Sequence, residues 1–234
     1  MHYSIRHITR FRYSTPVRES VMELRMQPRS EGVQALRSFQ IVTNPRAQLY
    51  AYTDYLGNAV YHFNVLREHS ELRIETQSLI EMTGWARPPA PPIDWTQYDP
   101  ANLSAEHFDF LEDSKFAKMT PALAAFMAAR NLKAPLDNPA SALERLSSSI
   151  YDAFDYKTGV TEVHSPIDDA LKAKSGVCQD FAHLMIAIAR KWGVPTRYVS
   201  GYLYHREKGK GPFRRRRQPC LGRILSAGIG LDRL

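Results

Sequence analysis

Cysteine is scarce in this chain of 234 residues, in which Cys178 and Cys220 are the only two. Two cysteines are too few for a disulfide scaffold, and such sparing use is typical of a reducing compartment. No apolar run reaches the roughly eighteen residues that a membrane-spanning helix requires. The segment Met1–Arg6 has neither the apolar core nor the cleavage site of a signal peptide. The sequence therefore predicts a cytoplasmic location.

Acidic residues become scarce only at the end of the chain. The formal net charge is +7, and residues 206–234 contain nine Lys or Arg against two acidic residues. The 22 basic and 22 acidic residues of 1–205 balance each other. With 44% hydrophobic and 24% charged residues the chain is otherwise typical of a globular protein. A basic surface spread over the whole fold is therefore excluded, and the excess charge belongs to a basic tail.

Alternating hydrophobicity over residues 1–83 predicts a β-rich region. Met22, Leu24 and Met26 alternate with charged or polar residues, which is the pattern of a strand with one buried face. Asp54–Asn58, with the sequence Asp-Tyr-Leu-Gly-Asn, is typical of a turn between two strands. Several short strands at this spacing predict an antiparallel sandwich. No metal-ligand or nucleophile spacing occurs in the region, so we expect it to pack or to shape a substrate site.

The composition changes after these strands. Residues 84–100 are rich in proline and predict a stiff, extended linker. From residue 101 to residue 205 the hydrophobic period becomes helical. The pattern predicts a helix over 121–131, a second helix that begins near Pro139, and a short helix from Pro166 to Leu171.

Cys178 begins the most informative predicted helix. Phe181 and Leu184 fall on its apolar face, and Gly193 is placed to end it. In the first helical turn, free backbone N–H groups and the helix dipole favour a negative charge. A thiolate is such a charge and is the nucleophilic form of cysteine, and the N–H of Cys178 can serve as an oxyanion donor. Residues 197–204 are predicted to follow as a strand.

A cysteine at a helix start is ambiguous by itself, because free cysteine is often a small buried apolar residue. The surrounding residues resemble the cysteine segment of the bacterial transglutaminase-like superfamily. The resembling segments are Ser175–Leu184 (SGVCQDFAHL), Arg190, Gly193–Pro195 (GVP) and Arg197–Tyr202 (RYVSGY). Residues 1–80 also resemble the β-rich N-terminal region that accompanies this core in many bacterial members.

The resemblance implies an α+β protein in which an antiparallel, sandwich-like domain precedes a papain-like core. It implies that Cys178 is the nucleophile of either acyl transfer from glutamine to an amine or peptide hydrolysis. The expected partners are a peptide or protein substrate and, for transfer, an amine acceptor. Neither a metal nor another cofactor is expected, and no membrane partner is expected.

The histidine and aspartate partners of such a cysteine are not found where the resemblance implies them. A His-Ala-Trp-Val-Glu-like strand and then a Phe-Asp-Pro-Thr-like strand are expected after the cysteine helix, yet residues 206–234 contain no histidine. His183 lies roughly 140° around the helix from Cys178, and neither His164 nor His205 has a spacing that specifies a base. The predicted core at 101–205 is therefore truncated, and without a base catalysis is expected to be impaired.

A change of reading frame accounts for both the missing histidine and the basic tail at 206–234. When the codons permitted for Gly211–Leu234 are read one base later, synonymous choices allow a His-Ala-Trp-Val-Glu stretch followed by a Gly-Trp pair. The hypothesis is a natural or sequencing frameshift of one or two bases that begins near Lys210 or Gly211. The positive charge of the tail would then be a by-product of the shifted reading frame and would have no function of its own.

Two noncatalytic interpretations stay open at the level of sequence. The first is a peptide-binding or scaffold remnant of the same fold. The second is nucleic-acid binding through the tail, because seven basic residues lie within 206–217. A solvated chain end explains the same charges without any ligand.

Overall fold

The computed structural model of the protein describes residues 1–84, 107–134, 139–162 and 164–202. The chain divides into two compact units, Met1–Pro88 and Pro89–Leu234. Apart from residue 84, the linker predicted at 84–100 lies outside the described residues. No helix in the described part of the chain has both the length and the apolar character needed to cross a bilayer.

The first unit consists of two three-stranded antiparallel sheets, as the alternation of hydrophobic and polar residues predicted. The strands are β1 His2–Val17, β2 Ser20–Leu24, β3 Gln34–Asn44, β4 Tyr50–Thr53, β5 Ala59–Val65 and β6 His69–Met82. Their order is β1-β6-β3 in one sheet and β2-β5-β4 in the other. Phe63 and Val65 of β5 pack with Leu72 and Ile74 of β6 in one buried cluster, so the two sheets share a core.

Glu75 is a buried carboxylate on the face of β6 opposite to this core, because successive residues of a strand point to opposite faces. It is 6% exposed. The Arg6 guanidinium donates to its two oxygens over 2.5 and 3.0 Å, the Gln77 amide donates over 2.9 Å, and the Arg73 guanidinium donates as well. Arg6 first, then Gln77 and Arg73, lower the pKa of Glu75 to about 2. The carboxylate thus ties β1 to the central strand.

Glu75→Gln is expected to lower the free energy of unfolding at pH 7, because it removes the charged partner of Arg6 and Arg73. The pKa of Glu75 in the folded chain is about 2 against a reference value of 4.5, so its contribution is fully present above pH 4.5. The difference between wild type and variant should therefore shrink as the pH falls from 4.5 towards 2. Urea unfolding at several pH values measures it.

Glu71→Gln is the matched control, since Glu71 lies on the same strand and pairs with Arg12 while its side chain is 43% exposed. Exposed ion pairs contribute little. An equal loss of stability in both variants, or a gap for Glu75→Gln that stays constant down to pH 2, would contradict the assignment.

Helices dominate the described part of the second unit. Besides helical residues at 107–111, they are α1 Pro121–Ala129, α2 Pro139–Ala153, α3 Ile167–Ala173 and α4 Cys178–Lys191, with two short strands, β7 Asp155–Tyr156 and β8 Ser175–Gly176. The four positions agree with the helical periods in the sequence to within a few residues. Thr120 caps α1 by accepting from the Leu123 N–H over 3.1 Å and donates to Asp168 of α3 over 2.6 Å, which joins the starts of two helices.

Helix α4 lies at the centre of this unit. The sequence predicted one apolar face, whereas the structure buries every residue from Asp180 to Ala189. Leu143, Leu146 and Ile150 of α2 belong to the same cluster as Leu184 of α4. Alanines at 182, 187 and 189 make the other faces of α4 small enough for close packing. Each fully buried Leu or Ile contributes about 1.5–3 kcal/mol, so the orientation of α4 is strongly fixed.

The helix ends where the sequence predicted. Gly193 has a φ of +79°, in the left-handed region that glycine adopts without strain. Its N–H donates to the Arg190 carbonyl over 2.9 Å, and the Val194 N–H donates to the Ala189 carbonyl over 3.0 Å. These bonds satisfy carbonyl groups of the last turn and turn the chain away from the helix axis.

The strand predicted at 197–204 is wrong over residues 197–202, which have no strand conformation. A strand exists only with a hydrogen-bonded neighbour, and no other described segment pairs with these residues. Residues 203 and 204 lie outside the described part of the chain.

Candidate active site at the start of helix α4

Cys178 is the first residue of α4, and Val177 is the N-cap. The structure thus places the cysteine where the helical period put it. The residue is partly exposed, so it lies neither in the middle of the helix nor fully within the core. The backbone N–H groups of the first helical turn present partial positive charge at this end.

Asp180, two residues after Cys178, fixes the start of the helix. Its carboxylate is 3% exposed. One oxygen, Oδ2, accepts hydrogen bonds from the Val177 N–H over 2.7 Å and from the Thr161 hydroxyl over 2.7 Å. Hydrogen bonds to a carboxylate are roughly twice as strong as neutral ones. We call Asp180 with these two donors the Asp180 clamp; it joins the loop at 161 to the turn that presents Cys178.

Gly176 makes room for the clamp. A Cβ atom added at Gly176 would lie 2.6 Å from Asp180 Oδ2 and 3.1 Å from its Cγ. The same residue is held by β7, since the Lys157 N–H donates to the Gly176 carbonyl over 2.9 Å and the Asp155 N–H donates to the Lys174 carbonyl over 3.0 Å. The backbone has no freedom to move away, and only glycine fits two positions before the cysteine.

Four rings make successive contacts around His183 of α4. Phe116 stacks on His183 with ring centroids 5.5 Å apart and 10° between planes, and on His164 at 6.3 Å and 21°. Tyr198 contacts His183 at 5.4 Å with a tilt of 47°. We call Phe116, His164, His183 and Tyr198 the aromatic row. His164 lies three residues after Thr161 of the clamp, which places one end of the row near the start of α4.

His183 is a packed member of this row. It is 9% exposed. Burial lowers the pKa of His183 below its ordinary value, while the charge of Asp180 partly opposes that shift. The ring is therefore favoured in its neutral form, with Phe116 and Tyr198 against it.

Arg190, a residue of the motif in the sequence, anchors the chain that follows α4. Its Nε and Nη2 donate to the Thr196 carbonyl over 3.1 and 2.8 Å, and Nη1 donates to the Glu112 carbonyl. The Thr196 N–H in turn donates to the Phe110 carbonyl over 2.8 Å. Burial lowers the pKa of Arg190, and Asp113 partly opposes the shift. The guanidinium thus links the carbonyl groups of Thr196 and Glu112, which are distant from each other in the sequence.

The cysteine and histidine residues that the sequence raised as candidates for the site differ in their exposure. Cys178 is partly exposed at the helix start, His183 is buried, and His164 is exposed in a turn. His205 and Cys220 lie outside the described residues. Within the described ranges, no three His, Cys, Asp or Glu side chains are grouped so that they could hold a metal ion. Sequence reasoning gave no role to Asp180, although an acidic residue at the third helical position is a recognised capping signal.

Two family models match the chain, one in its β-rich first unit and one in its second unit. Residues 3–81 match the bacterial transglutaminase-like N-terminal region, and residues 127–223 match the transglutaminase-like superfamily. The second match continues past His205 into the basic tail. The finer division of the chain at residues 84, 101 and 206 stays a prediction.

Relatives and a solved structure agree with these matches. The chain is 33% identical over 198 residues to an uncharacterized protein of Mycobacterium leprae, covering 85% of this chain and 70% of that protein. It is 32% identical over 212 residues to an uncharacterized protein of Mycobacterium tuberculosis, covering 86% of this chain and 65% of that protein. A candidate cysteine protease from Cytophaga hutchinsonii superposes with a TM-score of 0.62 at 16% identity, over 85% of this chain and 68% of its own.

The fold is accordingly that of a papain-like cysteine core preceded by a β-rich region. The chain belongs to the bacterial transglutaminase-like family.

Gly176→Ala is expected to lower the free energy of unfolding by about 1–3 kcal/mol, the usual cost of overpacking. The added methyl group meets the Asp180 carboxylate, which two donors and burial hold in place. Gly201→Ala is the control, because an added Cβ there meets nothing within 4 Å. Urea unfolding of both variants gives the comparison, and equal stability of the two would disprove the proposed role of Gly176.

Proposed function

We propose that the protein is a thiol-dependent enzyme of amide chemistry, in which Cys178 is the nucleophile of acyl transfer or of peptide hydrolysis. Membership of the transglutaminase-like family supports this reaction class. The observation that supports it most is the partly exposed position of Cys178 at the first residue of a buried helix. The substrate is a peptide or protein, and an amine is the second substrate if the reaction is transfer.

The proposed reaction follows from the chemistry of a thiolate at a helix start. The sulfur attacks the carbonyl carbon of an amide, and the oxygen of the tetrahedral intermediate accepts a hydrogen bond from the Cys178 N–H. The amine then leaves with a proton, and a thioester on Cys178 is formed. Water completes hydrolysis of the thioester, whereas a second amine completes transfer, and either step regenerates the thiol.

We further propose that the chain in the printed sequence is impaired in this reaction. The leaving amine needs a proton and the thiol needs a base, and both tasks belong to a histidine in this chemistry. Residues 206–234 contain no histidine. His183 is buried within the aromatic row, and its burial disfavours the protonated form that would give a proton to the leaving amine. Positioned acid–base catalysis is worth about 10²–10⁴-fold, which sets the expected size of the loss.

The test compares the printed chain with a chain whose reading frame is shifted from Lys210 or Gly211 onward. Incorporation of a fluorescent amine into casein measures transfer, and release of acid-soluble peptides measures hydrolysis. The shifted chain is expected to turn over about 10²–10⁴ times faster than the printed chain, and Cys178→Ala should abolish that turnover. Equal activity of the two chains would contradict the impairment. Turnover that survives Cys178→Ala would contradict the enzyme assignment.

The coding DNA across residues 205–234 tests the frameshift hypothesis separately. A shift of one or two bases is expected to reveal a His-Ala-Trp-Val-Glu-like stretch followed by a Gly-Trp pair. If neither alternative frame encodes the first stretch, the missing histidine has another cause.

The lack of histidine in residues 206–234 also favours a second candidate function. In that case the chain is a peptide-binding or scaffold form of the fold that does no chemistry. Peptide binding would then be unchanged in Cys178→Ala, and the frame-shifted chain would give no thiol-dependent turnover. Titration of a casein-derived peptide followed by fluorescence distinguishes this outcome from the enzymatic one.

A further inference from the structure

The face of the β1-β6-β3 sheet that carries Glu75 also carries Arg10, Arg73 and Asn44. In the pairing of the three strands, Arg10 lies directly opposite Arg73, and Arg73 lies directly opposite Asn44. Residues that oppose each other in antiparallel strands share a face, with Cβ atoms about 4.5–5.5 Å apart. Because Arg73 is two residues from Glu75, this face is the one opposite to the core. We call Arg10, Arg73 and Asn44 the arginine row.

Arg10 is the exception to the charge pairing of this face. Arg12 pairs with Glu71 over 3.1 Å, and Glu75 accepts from two arginines. Arg10 is exposed, and it has neither a hydrogen bond nor an ion pair with another described residue. The residue opposite to it is a second cation, Arg73, and like charges in opposite positions destabilise a sheet. A residue that breaks the pattern followed by its neighbours is expected at a functional site.

The charges around Arg10 leave this part of the face positive. Arg6, Arg10 and Arg73 carry three positive charges against the single negative charge of Glu75, which gives a net charge of +2. Arg73 donates to Glu75 through Nη2, and a guanidinium has five N–H donors, so further donors remain for a ligand. The side chain of Asn44 is exposed and makes no hydrogen bond within the described part of the chain. The arginine row thus offers two guanidinium groups and an amide to an external anion.

The neighbours of the row indicate the kind of anion that fits it. Ile8 is two residues from Arg10 on β1, and Val42 is two residues from Asn44 on β3; they are 38% and 56% exposed. Both lie opposite Glu75, one on each side of it. A ligand that covers them continues beyond its anionic group with apolar side chains, as a peptide does and an inorganic anion does not. The planar fork of a guanidinium matches a carboxylate, which is the anionic group of an acidic residue.

We propose that the arginine row is a binding site for an acidic residue of an extended peptide segment, whose carboxylate accepts hydrogen bonds from Arg10, Arg73 and the amide of Asn44. A neighbouring apolar residue of the same segment covers Ile8 or Val42. The inference rests on the proposed function for its biological meaning, because the segment would belong to a peptide or protein substrate. Its test measures binding and needs no turnover, so the two proposals can fail separately.

Arg10→Gln removes the charge and keeps most of the length of the side chain. The ligand is the peptide Ala-Val-Glu-Val-Ala with a neutral fluorophore at its N-terminus and an amidated C-terminus, and fluorescence anisotropy on the full chain follows its binding. At constant ionic strength the Kd is expected to rise about fivefold in Arg10→Gln. The peptide with Gln in place of Glu is expected to bind the wild-type chain at least about fivefold more weakly, because it lacks the carboxylate.

Arg18→Gln is the matched control. Arg18 belongs to the same unit, its side chain is 91% exposed, and it lies 3.9 Å from Glu68. The variant changes the net charge by the same amount as Arg10→Gln and should leave the Kd unchanged. Equal weakening in both variants would show a response to net charge alone and would overturn the proposal, as would equal binding of the Glu and Gln peptides.

A structural role of Arg10 predicts a different change in stability. Because Arg10 faces Arg73 and has no partner among the described residues, Arg10→Gln is expected to leave the free energy of unfolding unchanged or to raise it. A clear loss of stability in urea unfolding would contradict the proposal. Stabilisation by inorganic phosphate without any binding of the Glu peptide would contradict it too. Should the frame-shifted chain show no turnover while Arg10→Gln still weakens binding, the proposed function fails and the arginine row stands.

Discussion

One buried carboxylate organises the site. Asp180 accepts from the Val177 N–H and the Thr161 hydroxyl through a single oxygen, in a position that is 3% exposed. A buried charge without partners costs several kcal/mol, so the two donors and the space above Gly176 are all conditions for the helix to start there. Because Cys178 lies between Val177 and Asp180, the direction of its side chain is a consequence of this clamp.

The opposite end of α4 is fixed as well. The left-handed residue Gly193 turns the chain, and Arg190 binds the Thr196 carbonyl and so holds the returning segment. That segment carries Tyr198 back to His183. The motif residues at 176, 180, 190 and 193 therefore fix the two ends of α4 and the segments that precede and follow it.

Much of the fold could be predicted from sequence, because its signals are local. The alternation of Met22, Leu24 and Met26 identified strands, and the apolar spacing with Gly193 gave the bounds of α4 to within a few residues. Sequence reasoning did not find that α4 is buried all round, because small alanines give no amphipathic signal and the elements that cover them, among them α2 and α3, are identified only by the tertiary fold. The strand at 197–204 was predicted from residue types, whereas a strand is defined by its hydrogen-bonded neighbour, which residues 197–202 lack among the described segments.

The candidate site was predictable only in part, for a similar reason. The position of Cys178 follows from helical periodicity and from the resemblance of its segment to a family. The partners of Asp180 and Arg190 do not follow, because Thr161, Thr196 and Glu112 are distant in sequence and their contacts depend on the tertiary fold. The aromatic row likewise joins residues 116, 164, 183 and 198, whose spacing contains no period.

The proposed function requires that the Asp180 clamp hold Cys178 at the start of α4 as a reactive thiol. The two cysteines of the chain allow a direct measurement, namely the ratio of alkylation rates of Cys178 and Cys220 at pH 6, before and after unfolding in urea. Ordinary thiols are almost fully protonated at this pH. We expect Cys178 to be alkylated at least about tenfold faster than Cys220 in the folded chain, and we expect urea to remove this difference. Equal rates in the folded chain, or a slower Cys178, would contradict it.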